Sequence, residues 1–195
     1  MFSLGITGII CSGKTQFSRL LKTMTAAGYF NADDYIRECL ENDPEVAQEI
    51  RNVFGDDVLT ESGKPDRARL RDIIFQDEGK RKSLESILHP RVWKACQNRI
   101  EESSSLLVAD IPLIYETQSQ NRFQAVLVVA SSSEVQTKRL IENRNISADM
   151  AQKMILSQLS QTQKMLLADY LVWNDGSPET LKIQAELFAE NLPNG

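Results

Sequence analysis

The chain offers a single histidine, His89, in 195 residues, and its three cysteines (Cys11, Cys39, Cys96) lie far apart. A lone imidazole excludes His-rich zinc sites and catalytic histidine pairs. An odd, dispersed set of thiols argues against a disulfide framework or a metal cluster. No apolar run approaches the roughly 20 residues that a membrane-spanning helix needs. Positive charge is also short: 22 Lys and Arg against 27 Asp and Glu leave a net charge of −5. Generic binding to a nucleic-acid backbone is therefore not expected. Aromatic residues make up only 7%, yet hydrophobic residues reach 42%, enough for a packed core and too many for a disordered chain. Met1 to Gly8 carries neither the basic start nor the long apolar stretch of a secretion signal. The expectation is a cytoplasmic globular protein with no membrane or nucleic-acid partner, built as one domain or as one domain with a helical insertion. Oligomeric state is not legible.

Helical and strand signals alternate, as in an α/β domain with a mostly parallel sheet. Phe2 to Thr7 reads as the first strand. A helix from about Gly13 follows, with Phe17, Leu20, Leu21, Met24 and Ala27 on one apolar face and Gly28 as its stop. A second strand fits Tyr29 to Asn31. The next buried strand is Leu106 to Ala109, and the roughly 70 residues between exceed a one-helix crossover. They read as helices beginning near Asp34, after Pro44 and at Asp66, then a long one through Leu84, Ile87, Leu88 and Val92. Pro90 should bend or break that last helix. Ala125 to Val129 is too apolar for a one-sided strand. Helices from Ser133 to Asn143 and after Ser147 follow, the latter with Met150, Met154 and Ile155 as its apolar side. A strand at Tyr170 to Trp173 and a helix opened by Pro178 close the chain. That makes five strands with helices on both faces.

Gly8-Ile9-Ile10-Cys11-Ser12-Gly13-Lys14-Thr15 matches G-x-x-x-x-G-K-S/T, the phosphate loop. By average residue usage the pattern arises in about 1 of 30,000 windows, and here a strand precedes it and an amphipathic helix follows. Backbone amides of such a loop face a polyphosphate, and the helix adds its positive end. Lys14 reaches the β and γ phosphates, and Thr15 offers a hydroxyl to Mg²⁺. A nucleoside triphosphate site is expected.

Ligands of parallel α/β sheets bind beyond the carboxyl ends of the strands. Asp33 and Asp110 follow the second and third strands, whereas Asp169 begins the fifth and belongs at the opposite edge. Asp33 is placed to meet an acceptor hydroxyl as general base or orienter, and Asp110 resembles an acid that holds Mg²⁺ through water. Acidic residues after strands also cap helices, so position alone leaves both roles open. From Lys64 to Arg99, ten basic residues face five acidic ones, a local net of +5. A phosphorylated acceptor would want such a field, although solvated helix faces account for most of these charges. Arg67 and Arg71, four apart, point the same way, while His89-Pro90 reads as a bend in a packed helix. Lys138, Arg139 and Arg144 form a second basic group, with Arg144 at a plausible lid corner and Lys138 toward solvent.

These residues together resemble the dephospho-coenzyme A kinase family of P-loop kinases. The resemblance rests on Gly5-Ile6-Thr7-Gly8…Ser12-Gly13-Lys14-Thr15, Ala32-Asp33…Ile36-Arg37, Asp66-Arg67…Leu70-Arg71…Phe75, Leu84-Glu85…Leu88-His89-Pro90 and Asp110-Ile111-Pro112-Leu113…Glu116. Gln136…Arg139…Arg144, Gln158, Lys164, Ala168-Asp169 and Asn174 continue it. It implies ATP-dependent, Mg²⁺-assisted phosphorylation of the ribose 3′-hydroxyl of dephospho-CoA. It also implies a P-loop NTPase-type five-stranded parallel sheet flanked by helices, with a helical substrate-binding insertion and a small lid. The nucleotide core would be residues 1–33, 104–133 and 168–195, the acceptor insertion 34–103 and the lid 134–167. Lys14 and the loop Gly8 to Thr15 would serve ATP, with Thr15 and Asp110 serving Mg²⁺. Asp33 would serve the hydroxyl, and Arg139 or Arg144 the transferring phosphate. Thr7, Arg37, Arg67, Arg71, His89 and Pro112 would surround the acceptor, which raises His89 from packing residue to site residue.

The chain departs from the family where Gly-Gly-Ile-Gly becomes Gly8-Ile9-Ile10-Cys11, where Asn31 replaces an Asp, and where Asn145 replaces another. If Ile9 or Cys11 must take a positive φ, strain of order 1–3 kcal/mol follows. A thiol at Cys11, beside Lys14 and a helix N-terminus, should have a lowered pKa; burial as a small hydrophobe is the alternative. Two other functions fit parts of the pattern: a P-loop kinase for a nucleoside monophosphate or small polyol, and a regulatory nucleotide-binding protein without turnover.

Overall fold

A computed structural model describes residues 2–144 and 147–192. Its elements run β1 (Phe2–Gly8), α1 (Lys14–Thr25), β2 (Gly28–Asn31), α2 (Ala32–Asn42), α3 (Pro44–Phe54), α4 (Arg67–Gln76), α5 (Glu78–Glu102), β3 (Leu106–Asp110), β4 (Ala125–Ala130), α6 (Ser133–Arg144), α7 (Ala148–Leu156), α8 (Gln161–Leu167), β5 (Tyr170–Trp173) and α9 (Pro178–Glu190). One compact unit comprises residues up to Phe30 and from Arg99 onward; Asn31–Asn98 form the other. Among the described residues no helix is long and apolar enough to cross a membrane.

The first unit is organised on a five-stranded sheet in the order β2-β3-β1-β4-β5. β1 pairs in parallel with β3 (Ile6 opposite Asp110) and with β4 (Gly8 opposite Val129), and β4 pairs in parallel with β5. A strand of period two sends alternate residues to one face. Leu4, Ile6, Leu127 and Val129 accordingly pack with Phe17 and Leu21 of α1 and Leu181 and Ala185 of α9. Every residue of β4 is buried, as expected of a strand covered on both faces. Each fully buried aliphatic side chain in such a core contributes roughly 1.5–3 kcal/mol. The second unit has its own core of Cys39, Leu40, Val46, Ile50, Val58, Leu70, Leu84, Ile87 and Leu88.

Local chemistry sets most helix starts. Asp43, Asp66, Ser147 and Ser177 accept backbone amides of the first turns of α3, α4, α7 and α9, and Pro44 and Pro178 occupy first-turn positions. Several boundaries differ from expectation. α1 ends at Thr25 because Ala26 takes the left-handed turn (φ 52°), and Gly28 instead opens β2, where a Cβ would come within 2.7 Å of Ser103 Oγ. α2 begins at Ala32 because Asn31 Oδ1 accepts the Asp34 amide at 2.8 Å. Ala151 is the buried residue of α7, and Met150 is exposed. α8 is an added element, capped by Ser160.

α5 runs unbroken through Pro90. Proline removes the amide that would reach the Ser86 carbonyl, but Ser86 is exposed, so water can take that carbonyl's hydrogen bond and the helix continues. Replacing Pro90 by Ala restores the donor and a strong helix former. Pro90→Ala should stabilise the protein by about 1–3 kcal/mol, read as a higher urea midpoint with an unchanged slope; an equal or lower midpoint means that the ring packs usefully.

Candidate active site

The loop from Gly8 to Thr15 lies between β1, a central strand, and α1. Gly8 must lack a side chain, since a Cβ would run into the Val129 carbonyl of β4. Ile9 to Ser12 makes a tight turn: the Ser12 amide donates to the Ile9 carbonyl at 3.2 Å, and Cys11, third in the turn, has φ 61°. That combination is the type II turn, whose third position favours glycine. Of the two missing glycines, only that at Cys11 falls where glycine is favoured; Ile9 is a buried residue of ordinary φ. Gly13 follows at φ 90° and caps α1. Cys11 forms no disulfide and is half-buried.

Lys14 opens α1 and forms an ion pair with Asp110, the last residue of β3, whose carboxylate is fully buried. The other Asp110 oxygen accepts from Ser18 Oγ at 3.0 Å, one helical turn after Lys14. A buried carboxylate needs such partners, and strand and helix register supply them: Asp110 lies level with Ile6, just before the loop departs. Thr15 is half-buried in the first turn beside Lys14. Among the described residues no group of three His, Cys, Asp or Glu could hold a metal ion.

Donors from distant segments engage the loop carbonyls. Lys164 of α8, fully buried, donates to the Gly8 carbonyl at 3.2 Å and the Pro112 carbonyl at 3.4 Å, and pairs with Glu116 at 2.8 Å. Burial pushes its ammonium pKa down, and Glu116 acts against that. Gln136 of α6 donates to the Ile10 carbonyl at 3.1 Å, and Gln158 accepts the Ile10 amide at 3.0 Å. Asn174, after β5, donates to the Ser12 carbonyl at 2.8 Å; a Cβ on Gly13 would collide with that amide. Thr7 Oγ1 donates to the Pro112 carbonyl at 2.7 Å. Arg139 donates to the Asn174 carbonyl at 2.9 Å, and Lys138 is exposed. Arg144 ends α6, and its side chain, like Asn145, lies outside the described residues. Asp169 accepts the Val126 amide at 2.8 Å at the starting edge of β4.

Asp33, Arg37, Arg67, Arg71 and His89 belong to the second unit. Asp33 is exposed in the first turn of α2, and His89 is half-buried in α5. Arg37 pairs with Asp34 at 2.6 Å and Arg71 with Asp72 at 3.7 Å. The side chains of Asp33, Arg67 and His89 have no polar partner among the described residues. Several basic residues between Lys64 and Arg99 are paired locally. Arg91 forks onto Glu49 at 2.8 and 3.1 Å, and Arg81, Lys82 and Arg99 meet Glu78, Glu85 or Glu102.

Reading residues in sequence assigned no role to Ser18, Gln136, Gln158, Lys164 or Asn174. Ser18 alone carried a local signal, four positions after Lys14 on the same helical face.

A glycine-bounded loop between a central parallel strand and a helix opening with Lys and Thr defines the P-loop nucleotide-binding class. A family model described as dephospho-CoA kinase matches residues 2–180. A dephospho-CoA kinase of Thermobifida fusca is 35% identical over 193 residues, covering 97% of this chain and 96% of that protein. TT1252 from Thermus thermophilus superposes with TM-score 0.81 at 26% identity over 98% of both chains. A dephospho-CoA kinase from Campylobacter jejuni shares the fold, with TM-score 0.68 at 21% identity over 96% of this chain and 95% of that one. The chain belongs to the dephospho-CoA kinase family, the enzymes of the last step of coenzyme A biosynthesis.

An L-residue in the left-handed region costs about 1–2 kcal/mol, and glycine gives back about 0.4–1 kcal/mol through the unfolded chain. Cys11→Gly should therefore stabilise by about 0.5–1 kcal/mol, or roughly 1–4 °C in Tm; an unchanged or lower Tm would mean that the thiol packs well enough to offset the strain. Beside the loop's support, Asp175 Oδ1 accepts the Ser132 amide at 2.6 Å, and that bond holds its carboxyl below the usual aspartate range. With the folded value depressed, the stability Asp175 adds is present above about pH 4 and is lost as pH falls through the folded value. The gap in unfolding free energy between wild type and Asp175→Asn should be larger at pH 7 than at pH 3; a pH-independent gap refutes this linkage.

Proposed function

We propose that the chain transfers the γ-phosphoryl group of ATP to the ribose 3′-hydroxyl of dephospho-CoA. The observation that carries this reading is the Lys14–Asp110 pair at the head of a phosphate loop, in a chain of this family. Lys14, paired with Asp110 here, has a side chain long enough to turn to the β and γ phosphates, while the amides of Cys11 and Gly13 and the start of α1 attract the same anion. Hard oxygen donors suit Mg²⁺, and the Thr15 hydroxyl and Asp110 carboxylate are such donors, so these residues fit the ion. When bound, Mg²⁺ neutralises charge on the phosphates.

On the acceptor side, Asp33 takes the proton of the attacking hydroxyl or orients it. Its carboxylate is exposed and meets no polar partner among the described residues, so a substrate need displace nothing to reach it. Arg37, Arg67, Arg71 and His89 recognise the phosphorylated body of the acceptor, and Thr7 and Pro112 lie at the ribose. Unpaired Arg67 is the strongest phosphate ligand of that set, because no internal acid competes for it. Arg139 or Arg144 neutralises charge on the moving phosphoryl group. Residues 1–33, 104–133 and 168–195 act as nucleotide core, 34–103 as acceptor domain and 134–167 as lid.

ADP release measured with and without dephospho-CoA tests the assignment. Stimulation by that acceptor is expected. Stimulation by a nucleoside monophosphate or polyol instead, or by none, would replace it with the other two functions. Asp33→Asn should lower turnover by about 10²–10⁴-fold while ATP affinity stays within about twofold; near-normal turnover removes Asp33 from the chemistry.

A further inference from the structure

A trans peptide points its C=O and N–H in opposite directions, and the chain has no cis peptide among its described residues. A donor that holds the carbonyl of one residue therefore also aims the amide of the next. Three side chains do this along the phosphate loop at alternate peptides: Lys164 on Gly8, Gln136 on Ile10 and Asn174 on Ser12. The amides so turned away are those of Ile9, Cys11 and Gly13. All three donors are buried, and they come from α8, from α6 and from the turn after β5. Their loop partners lie 156, 126 and 162 positions away in sequence.

The Ile10 carbonyl matters most. It belongs to the central peptide of the Ile9–Ser12 turn, and the direction of that peptide separates type II from type I, hence positive from negative φ at Cys11. Glycine would favour the type II form by itself. With Cys11 in that position, the turn needs an outside hold on its central peptide. Gln136 grips that peptide's carbonyl, and Gln158 grips the amide of the same residue, Ile10.

We infer that Gln136 is a positioning residue for nucleotide binding, which sets the phosphate loop in its anion-facing shape by holding the Ile10 carbonyl, with Lys164 and Asn174 doing the same at the flanking peptides. The inference rests on the loop binding ATP as proposed above. It also links that loop to the helix carrying Arg139, one turn beyond Gln136 on α6.

Gln136→Leu, which keeps the bulk and removes the donor, tests it in the full chain by equilibrium titration with ATP. The Kd for ATP should rise about tenfold, with KM for dephospho-CoA within about twofold of wild type and Tm close to it. In a Cys11→Gly background, where the turn prefers type II unaided, the same substitution should raise Kd about threefold or less. ATP affinity unchanged by Gln136→Leu overturns the inference, as does an equal penalty in both backgrounds, or a loss of ATP affinity that merely accompanies equal loss of acceptor affinity and early melting. If Gln136→Leu does not fold, Gln136→Glu, similar in size and without the N–H donor, is held to the same criteria. Wild type that binds ATP yet ignores dephospho-CoA would remove the acceptor reading and leave this inference standing.

Discussion

The antiparallel directions of N–H and C=O across each peptide are the constraint on which the site depends. A loop meant to face an anion must aim amides one way, and the carbonyls thrown the other way need donors of their own, because buried carbonyls are costly to leave bare. Here the sheet meets that need. β1 delivers Gly8 beside β4, close enough that no side chain is tolerated. The segments after β4 and after β5 then bring Gln136 and Asn174 to the loop, and α8 brings Lys164. Because α6 and Asn174 directly follow the carboxyl ends of β4 and β5, the fold gathers these donors where ligands of parallel sheets bind.

The same logic governs charge. Asp110 is buried completely, yet it has a cation and a hydroxyl from one face of α1. Lys164, equally buried, has two carbonyls and Glu116. Both ions belong to networks rather than isolated pairs, the condition under which burial is tolerable. Asp33, Arg67 and His89, whose side chains have no polar partner among the described residues, lie in the second unit.

Much of this was readable from residues in order, and the division has a physical basis. β1, the loop and α1 were legible because glycine, lysine and hydrophobic period are local signals. β3, β4 and β5 were legible as apolar runs, and Asp110 as the acid ending β3. The loop donors were not, since contacts spanning more than a hundred positions leave no periodic trace. α8 was missed because seven residues opening with Gln-Thr-Gln, and carrying an exposed Leu166, show no apolar face. The end of α1 was misplaced because Ala26, not a glycine, takes the left-handed turn. Pro90 does not break α5, because the carbonyl it orphans belongs to exposed Ser86 and can be met by water. The basic excess of the Lys64–Arg99 stretch does not extend to the second unit as a whole, because acids ahead of Lys64, among them the Glu49 that Arg91 holds, outweigh it.

That last pairing bears on how ligands arrive. Fields reach across solvent only as far as net charge survives, and screening confines them to about 8–10 Å at ordinary salt. With Arg91, Arg81 and Lys82 already tied to neighbouring carboxylates, the second unit presents a few scattered positive points instead of a broad electropositive sheet. An anion approaching this unit, whose acids outnumber its bases, would meet attraction only at short range, where docking geometry decides.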